Sequence, residues 1–600
     1  MPSKHIGDGA MNLTVIDAVR LLRQDLPAKL AEMAPDGDLD SAFLVWWVLS
    51  GRREYPAAAT TLTEPERRRL FEPLPGWPIR AGLGMNRVLR ALLIVRGGVP
   101  STFDLSSPVG CWDALAWFYT QGVADLKLTD CIDQETRAAL AGPAFTEGPA
   151  ELQPSWLMVL LWRRHAPLQA AFDLSLPSGK AGLKAWFAQR GEREFDLQSL
   201  LLAAPVPVPD TLHDAAPNKP SAVFGVNLIG FAYGELGIGE DLRMAVQACE
   251  AAGIPFVVLN INPGRHLRQA DPLLAGHCTE DTAALPYAIN LFCLTGFDTL
   301  RVFAERGAAL FDGRHNIGWW PWELAVWPRR WQTAFSLVDE VWAASRFTQK
   351  MYVQTTTKPV TLMPLPVSVD RLKPTSRRVL GLPARRFLFL YVFDANSYLA
   401  RKNPQAVIDA FQRAFPPTDD AVGLVLKTMN SQPENPAWQA LVAACVADPR
   451  ITLLDRVLDR PVVLGLVKAC DAYVSLHRSE GFGRTLAEAL LLGKPVVGTN
   501  YSGNTDFLTT ATGYPVKWKR RELMAGDYPF VETDEAAWWA EPDLAHAARQ
   551  MRAARAAAGT ERALQLSTQA APRFCPAAIG RRMHAVLRTR YDNLSTAKSK

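Results

Sequence analysis

The apolar positions of this chain change rhythm near residue 220. Up to about residue 205 the sequence is rich in Leu, Ala, Arg and Trp and poor in β-branched runs, the texture of helices. A pattern repeats within it. Trp46-Trp47 precedes Gly51, Glu54 and Tyr55; Trp117-Phe118 precedes Gly122, Asp125 and Leu126; Trp186-Phe187 precedes Gly191, Glu194 and Phe195. The three glycines stand 71 and 69 residues apart, and Phe103-Asp104-Leu105-Ser106 returns as Phe172-Asp173-Leu174-Ser175. This predicts an all-α region over 1–205 of about three related units, each glycine ending a helix. The aromatic pair reads as a core anchor between units, with a sugar-stacking or partner-docking face as the alternative.

A Pro-rich stretch, 206–220, reads as a linker. From 221 the pattern becomes strand, glycine loop, helix, strand: SAVFGVNLIG, FAYGELGIGE, DLRMAVQACEAAG, IPFVVLNIN. Such a βαβ unit demands a parallel sheet. INLFCL, HNIGWW and DEVWAAS are further strands. Near 373 the cycle restarts with RFLFLYVFD, and strands VGLVLKT, ITLLD, DAYVSL and PVVGTN alternate with helices. The expected architecture is therefore α/β: two Rossmann-like domains, 221–372 and 373–590, facing a cleft, followed by a tail at 591–600. Ligands of such sheets sit at the carboxyl ends of the strands.

Composition narrows the function classes. The chain has 600 residues, 48% hydrophobic and 21% charged, enough for several packed cores. Its formal net charge is only +5, without a long basic run, which argues against a nucleic-acid partner. Eight cysteines are scattered without a C-x-x-C pair, as suits reduced thiols of a cytoplasmic protein rather than a zinc site. The N-terminal MPSKHIGDGAMN has no apolar signal run, and the apolar clusters at 43–49 and 157–162 are far shorter than the ~20 residues a membrane span needs. The expectation is a cytoplasmic protein, with peripheral attachment at the inner face of the membrane as the alternative.

The densest chemistry lies at His477-Arg-Ser-Glu480-Gly-Phe-Gly483-Arg-Thr485-Leu-Ala-Glu488-Ala, between a strand and a helix. The glycines allow close backbone approach, and the amides of Thr485 and Leu486 at the helix start would face an anion, for which phosphate is the natural guest. This segment resembles the signature of retaining GT-B glycosyltransferases of the group 1 (family 4) type, which build bacterial cell-surface polysaccharides. The resemblance spans about 221–590. It implies that Glu480 bonds the hydroxyls of the donor sugar and Glu488 the ribose hydroxyls of its nucleotide. The backbone of Gly481, Phe482, Gly483, Thr485 and Leu486 would hold the distal phosphate, and His477 and Arg478 would line the donor site.

Four more segments fit that frame. In Asp394–Pro404, Lys402 matches the lysine that neutralises the leaving diphosphate in the family, whereas Asn396 stands where its arginine is usual. Arg401 or Lys427 would then supply that charge. Gly237 and Gly239 resemble the glycine loop beside the diphosphate and acceptor, and a pure turn is the alternative. His315–Glu323 joins a Trp-rich run to a carboxylate, which suits sugar recognition; Glu323 is the acceptor-side candidate, against an aromatic core with Glu323 paired to Arg329 or Arg330. Tyr501–Asp506 would lie below the donor, with Asp506 either there or capping a turn.

The reaction so implied moves a sugar, with retention, from a nucleotide-sugar donor to a glycan or lipid-linked glycan acceptor in surface-polysaccharide or O-antigen (lipopolysaccharide) biosynthesis. The catalytic set is Glu480, Lys402, Arg401 and Glu323. No cofactor or metal is expected, since no D-x-D pair sits at a strand end. The competing readings are another GT-B enzyme, such as a sugar-nucleotide epimerase or a phosphorylase, and a catalytically idle glycan-binding or scaffold protein. The N-terminal repeats would dock a partner protein, grip a long acceptor or touch a membrane.

Overall fold

The computed structural model describes residues 13–597 except 24, 27–29, 32–36, 57–61, 96–102, 196, 202–222, 265–266, 533–534, 561–564, 566–568 and 570–572. The expected linker at 206–220 lies outside the described residues. The described residues divide into two units: those up to 201 together with Phe303–Ala309, and those from 223 to 302 together with those from 310 onward.

The first unit is helical, and the repeat is visible in its backbone. Each of Trp47–Gly51, Phe118–Gly122 and Phe187–Gly191 is a widened π-type turn between an α-helix and a three-residue α-helical turn. The repeat glycines thus do not end their helices. All three are right-handed helical, and the helix runs on past them. Their role is to make room for tryptophan. A Cβ on Gly51 would lie 2.6 Å from the Trp47 ring, on Gly122 3.0 Å from Trp117, and on Gly191 2.6 Å from Trp186. Trp47 and Phe118 are wholly buried and Phe187 nearly so, which places the second ring of each pair in the core, while Trp117 and Trp186 are half-buried. The recurring Phe-Asp-Leu-Ser is a turn: Asp104 accepts from the amide and hydroxyl of Ser106, and Asp173 from those of Ser175.

The second unit holds two parallel sheets. In the first, β1 (Val223–Gly230), β2 (Phe256–Asn260), β3 (Cys278–Thr279), β4 (Tyr287–Cys293), β5 (His315–Gly318), β6 (Glu340–Ala343) and β7 (Val360–Leu362) adopt the order 3-2-1-4-5-6-7. In the second, β8 (Phe387–Val392), β9 (Val422–Thr428), β10 (Ile451–Asp455), β11 (Ala472–Ser475), β12 (Val496–Thr499) and β13 (Tyr514–Val516) adopt the order 10-9-8-11-12-13. Their central strands are buried on both faces, which explains the near-continuous apolar runs in the sequence. A short antiparallel hairpin, β14 (Trp518–Glu522) with β15 (Trp538–Pro542), follows the second sheet. Together the two sheets and their helices form a GT-B fold.

One element departs from the sequence reading. The last helix, Pro576–Ala597, follows the second domain in sequence but packs on the first. Gly580 lies against the helix Gly237–Ala252 so closely that a Cβ would meet the Ala248 carbonyl at 2.1 Å, and Arg590 Nε reaches Glu340 Oε2 on β6 at 2.6 Å. Among the described residues no helix is long and apolar enough to cross a membrane.

Candidate active site

The carboxyl ends of β8 and β11 bring the main candidates together. After β11 the chain reaches Glu480 and turns through Gly483, at φ 93°, into the helix Arg484–Leu491. After β8 it passes through Asp394–Ser397 into a short helix, Leu399–Lys402. Tyr398 and Asn403, on either side of that helix, both hold positive φ, at 66° and 54°. Lys402 is held from behind by the Tyr391 hydroxyl, which donates to its carbonyl at 2.6 Å.

Four candidates form one charged chain. Lys402 Nζ donates to Glu480 Oε1 at 2.5 Å. Arg401 Nη1 lies 3.5 Å from the same oxygen and donates to the Ser479 carbonyl at 2.9 Å. Its Nη2 lies 3.6 Å from Glu323 Oε1, contributed by the first domain. Tyr528 Oη, from the segment joining β14 to β15, donates to Glu323 Oε2 at 2.9 Å. Burial alone would raise the Glu480 carboxyl, but Lys402 and Arg401 outweigh it and hold the group down to about 2. Burial also lowers the Lys402 ammonium, with Arg401 adding to the effect and Glu480 opposing it. The Arg401 guanidinium is raised by Glu323 and Glu480 against its burial. The site thus sets two cations beside two carboxylates.

Two sequence expectations at Glu323 change. Its partner is Arg401 rather than Arg329 or Arg330, because Arg329 pairs with Glu535 and Arg330 Nη2 donates to the Pro529 carbonyl. The tryptophans before it offer no open face. Trp320 is wholly buried and Trp319 and Trp322 are 3% exposed. Trp320 stacks on Trp327 at 5.7 Å, and Trp322 meets Trp331 edge-on at 5.3 Å. This is an aromatic core that props Glu323, not a sugar platform.

The glycine turn after β11 carries the approach of the two domains. A Cβ on Gly481 would lie 2.5 Å from the Trp322 carbonyl oxygen, and Ser345 Oγ donates to the Gly481 carbonyl at 2.7 Å. Phe482 is buried against Phe507. Asp506, read as a donor-loop or capping residue, accepts from the amide of Arg346, the first residue of the first-domain helix Arg346–Thr355, at 2.8 Å. At the helix start the Leu486 amide donates to the Gly483 carbonyl at 3.1 Å, so it closes its own turn and is not offered to an anion as expected. Thr485 stands beside it, half-buried.

His477 is fully buried. Asn504 Nδ2 donates to the Thr499 carbonyl, leaving Asn504 Oδ1 to face His477 Nε2 at 3.0 Å. Nε2 therefore carries the proton, and Nδ1 accepts from the Ser475 hydroxyl at 3.0 Å. Burial lowers this imidazole, which keeps it neutral. It supports the Glu480 loop from behind rather than lining an open cleft. Arg478 is tied to Glu541 on β15 at 2.8 Å.

The remaining candidates lie around this centre. Glu488 is 1% exposed, and one carboxylate oxygen is paired with Arg460 Nη2. Lys427 sits near the carboxyl end of β9, 2% exposed; burial lowers its ammonium to about 8 against the pull of Asp394 and Asp455. Asn396, in the loop after β8, is exposed and donates its amide to Asp394 Oδ1 at 3.0 Å. Gly237 begins the helix Gly237–Ala252, and a Cβ on Gly239 would meet the Gly234 carbonyl at 2.3 Å. Among the described residues no group of three or more His, Cys, Asp or Glu stands where it could hold a metal ion. Sequence reasoning missed Arg460, Tyr528 and Glu240. Arg460 and Tyr528 lie in segments without motif spacing, and Glu240 stood in the glycine loop without a role; all three become visible only through contacts across the fold.

Comparison with known proteins gives the following. Residues 373–536 match the family model described as glycosyl transferases group 1. No curated protein matches the chain. Among solved structures it is similar to HepE of Anabaena in complex with UDP and glucose, at 16% identity and a TM-score of 0.43, over 61% of this chain and 100% of that one. It is similar also to the sucrose-phosphate synthase of Thermosynechococcus elongatus, at 17% identity and a TM-score of 0.43, over 62% and 100%. A glycosyltransferase from Rickettsia africae aligns at 12% identity and a TM-score of 0.42, over 61% and 98%. The chain is a glycosyltransferase of GT-B fold whose second Rossmann-like domain carries the group 1 match.

Proposed function

We propose that the protein moves a sugar, with retention of anomeric configuration, from a nucleotide-sugar donor to a glycan or lipid-linked glycan acceptor. The observation that carries this reading is the Lys402–Glu480–Arg401 cluster at the carboxyl ends of β8 and β11, inside the matched segment, to which Arg401 joins Glu323 of the first domain. When the bond from sugar to diphosphate breaks, negative charge grows on the leaving oxygens and positive charge on the sugar carbon. Lys402 is a compact cation suited to the diphosphate. Glu480 accepts from sugar hydroxyls and holds Lys402 in place until the donor arrives. Arg401, already bound by two carboxylates and a carbonyl, acts as a fixed positive field more than as a direct phosphate ligand. Glu323, reaching in from the first domain, would orient the acceptor hydroxyl. Glu488 would take the ribose hydroxyls. Contact of the two domains at Gly481 would keep water from the reacting carbon.

A thermal-shift screen against GDP-, UDP-, dTDP- and ADP-sugars tests the reading. A ligand at 100 times its Kd stabilises the folded state by about 2.7 kcal/mol. One nucleotide class should raise the melting temperature, and Glu488→Ala should abolish that rise. No rise with any donor contradicts the proposal and favours a glycan-binding scaffold.

A further inference from the structure

Glu488 does not stand alone. Arg460, the first residue of the helix Arg460–Ala469, pairs through Nη2 with Glu488 Oε1, while its Nε lies 3.4 Å from Glu240 Oε1. Glu240 belongs to the first domain, in the opening turn of the helix Gly237–Ala252. Its other oxygen takes Arg243 Nε at 2.9 Å. Arg243 Nη1 donates at 3.1 Å to the carbonyls of both Ala232 and Gly234, and Nη2 donates to Gly234 at 3.1 Å. An unbroken run of charged contacts therefore joins Glu488 in the second domain to the glycine loop of the first. Three of its members are buried and the fourth nearly so: Glu488, Arg243 and Glu240 have side chains 1%, 3% and 7% exposed, and Arg460 18%. Arg460 and Arg243 hold Glu240 ionised despite its burial, down to about 2.

The geometry assigns Arg460 as a positioning residue that orients Glu488 for a nucleotide and ties that carboxylate, through Glu240 and Arg243, to the glycine loop. This rests on the donor-site reading given above. The pairing engages one carboxylate oxygen, Oε1, and a carboxylate is an acceptor at both. The second oxygen is left to accept from a ligand hydroxyl, with its direction fixed by the first. The guanidinium meets the two carboxylates, one from each domain, through separate nitrogens held in one plane; a lysine offers a single compact ammonium without that fixed geometry. A nucleotide that draws on Glu488 shifts Arg460, and the shift passes to Glu240 and to the carbonyls that shape the loop. Donor occupancy and loop conformation are thereby coupled, and such coupling is reciprocal.

The test uses the full-length protein with UDP, GDP, dTDP and ADP as probes, by titration calorimetry, with melting curves to confirm folding. For the nucleotide that the wild type binds, Arg460→Met should weaken the affinity at least tenfold and Arg460→Lys should restore it only in part. Glu240→Gln, on the opposite domain, should shift it at least threefold, and Arg460→Met/Glu240→Gln should be no weaker than Arg460→Met alone. Hydrogen exchange supplies a readout that needs no ligand: the amides of 231–237 should exchange faster in both Arg460 variants than in the wild type. Wild-type affinity in Glu240→Gln, or full additivity in the double variant, overturns the coupling. If none of the four nucleotides binds the wild type, the donor reading falls. The exchange arm then still decides the link to the loop, and unchanged exchange at 231–237 in Arg460→Met overturns it.

Discussion

Replacing Glu480 by glutamine isolates the charge at the centre of the site. The side chain keeps its shape, and Lys402 and Arg401 lose their shared partner. The carboxyl sits at about 2 in the folded protein against 4.5 in the unfolded chain, and that difference is already net of the cost of burial. At ~1.4 kcal/mol per unit, the charged group contributes about 3 kcal/mol to the folded state at neutral pH. The side chain is 14% exposed, so solvent screens little of this. The sign follows from the depressed value: the contribution is fully present above about 4.5 and is lost as pH falls towards 2. Urea unfolding of the second unit at pH 7, followed by intrinsic fluorescence, should show Glu480→Gln less stable by about 3 kcal/mol. Repeated at lower pH, the gap should narrow below pH 4.5, where the unfolded chain takes up a proton that the folded site does not bind until about 2. A variant as stable as the wild type at pH 7, or a gap that does not change with pH, refutes the reasoning.

Other expectations follow from single contacts. Gly481→Ala places a Cβ against the Trp322 carbonyl, a backbone atom that cannot swing aside; overpacking costs about 1–3 kcal/mol, and activity should fall more than the melting temperature suggests, because the domains separate. Tyr528→Phe removes the hydroxyl donating to Glu323 at 2.9 Å and should cost about 1.5–3 kcal/mol, read as a raised KM for the acceptor with donor affinity unchanged. Trp47→Ala empties a wholly buried position in the first helical repeat and should cost about 3–5 kcal/mol, seen as early loss of helix signal, while nucleotide binding persists. Raising the pH from 7 through 8 discharges Lys427, so a donor that relies on its charge should bind progressively more weakly there, and Lys427→Met should remove that dependence.

Much of the fold could be read from the chain because its signals are local. Apolar runs such as Phe387–Val392 and Val422–Thr428, separated by amphipathic helices, specify buried parallel strands without reference to anything distant. Glu480, Lys402 and Glu488 stand in or shortly after strand-to-helix turns, where motif spacing is also local. What the sequence concealed is long-range. Nothing near Pro576–Ala597 says that this helix returns to the first domain, since its amphipathic pattern would fit any apolar groove. The tryptophans at 319–322 are ambiguous in sequence because a stacking platform and a packed core need the same rings, and only burial separates them. The glycines of the N-terminal repeat misled for a similar reason: a glycine that ends a helix and one that makes room for an indole ring look alike. Arg460 and Tyr528 act on Glu488 and Glu323 from 28 and 205 residues away, beyond the reach of any spacing rule.

The account stands most directly on the fate of the donor. The nucleotide sugar identified by thermal shift should be incubated with the wild type and with Lys402→Ala, and nucleoside diphosphate release and the anomeric proton of the released or transferred sugar should be followed by NMR. The account predicts release by the wild type with the sugar appearing first in the donor's own anomeric configuration, and a loss of at least a hundredfold in Lys402→Ala, about 2.7 kcal/mol of transition-state stabilisation. Release with inverted configuration, or release undiminished in Lys402→Ala, would contradict it.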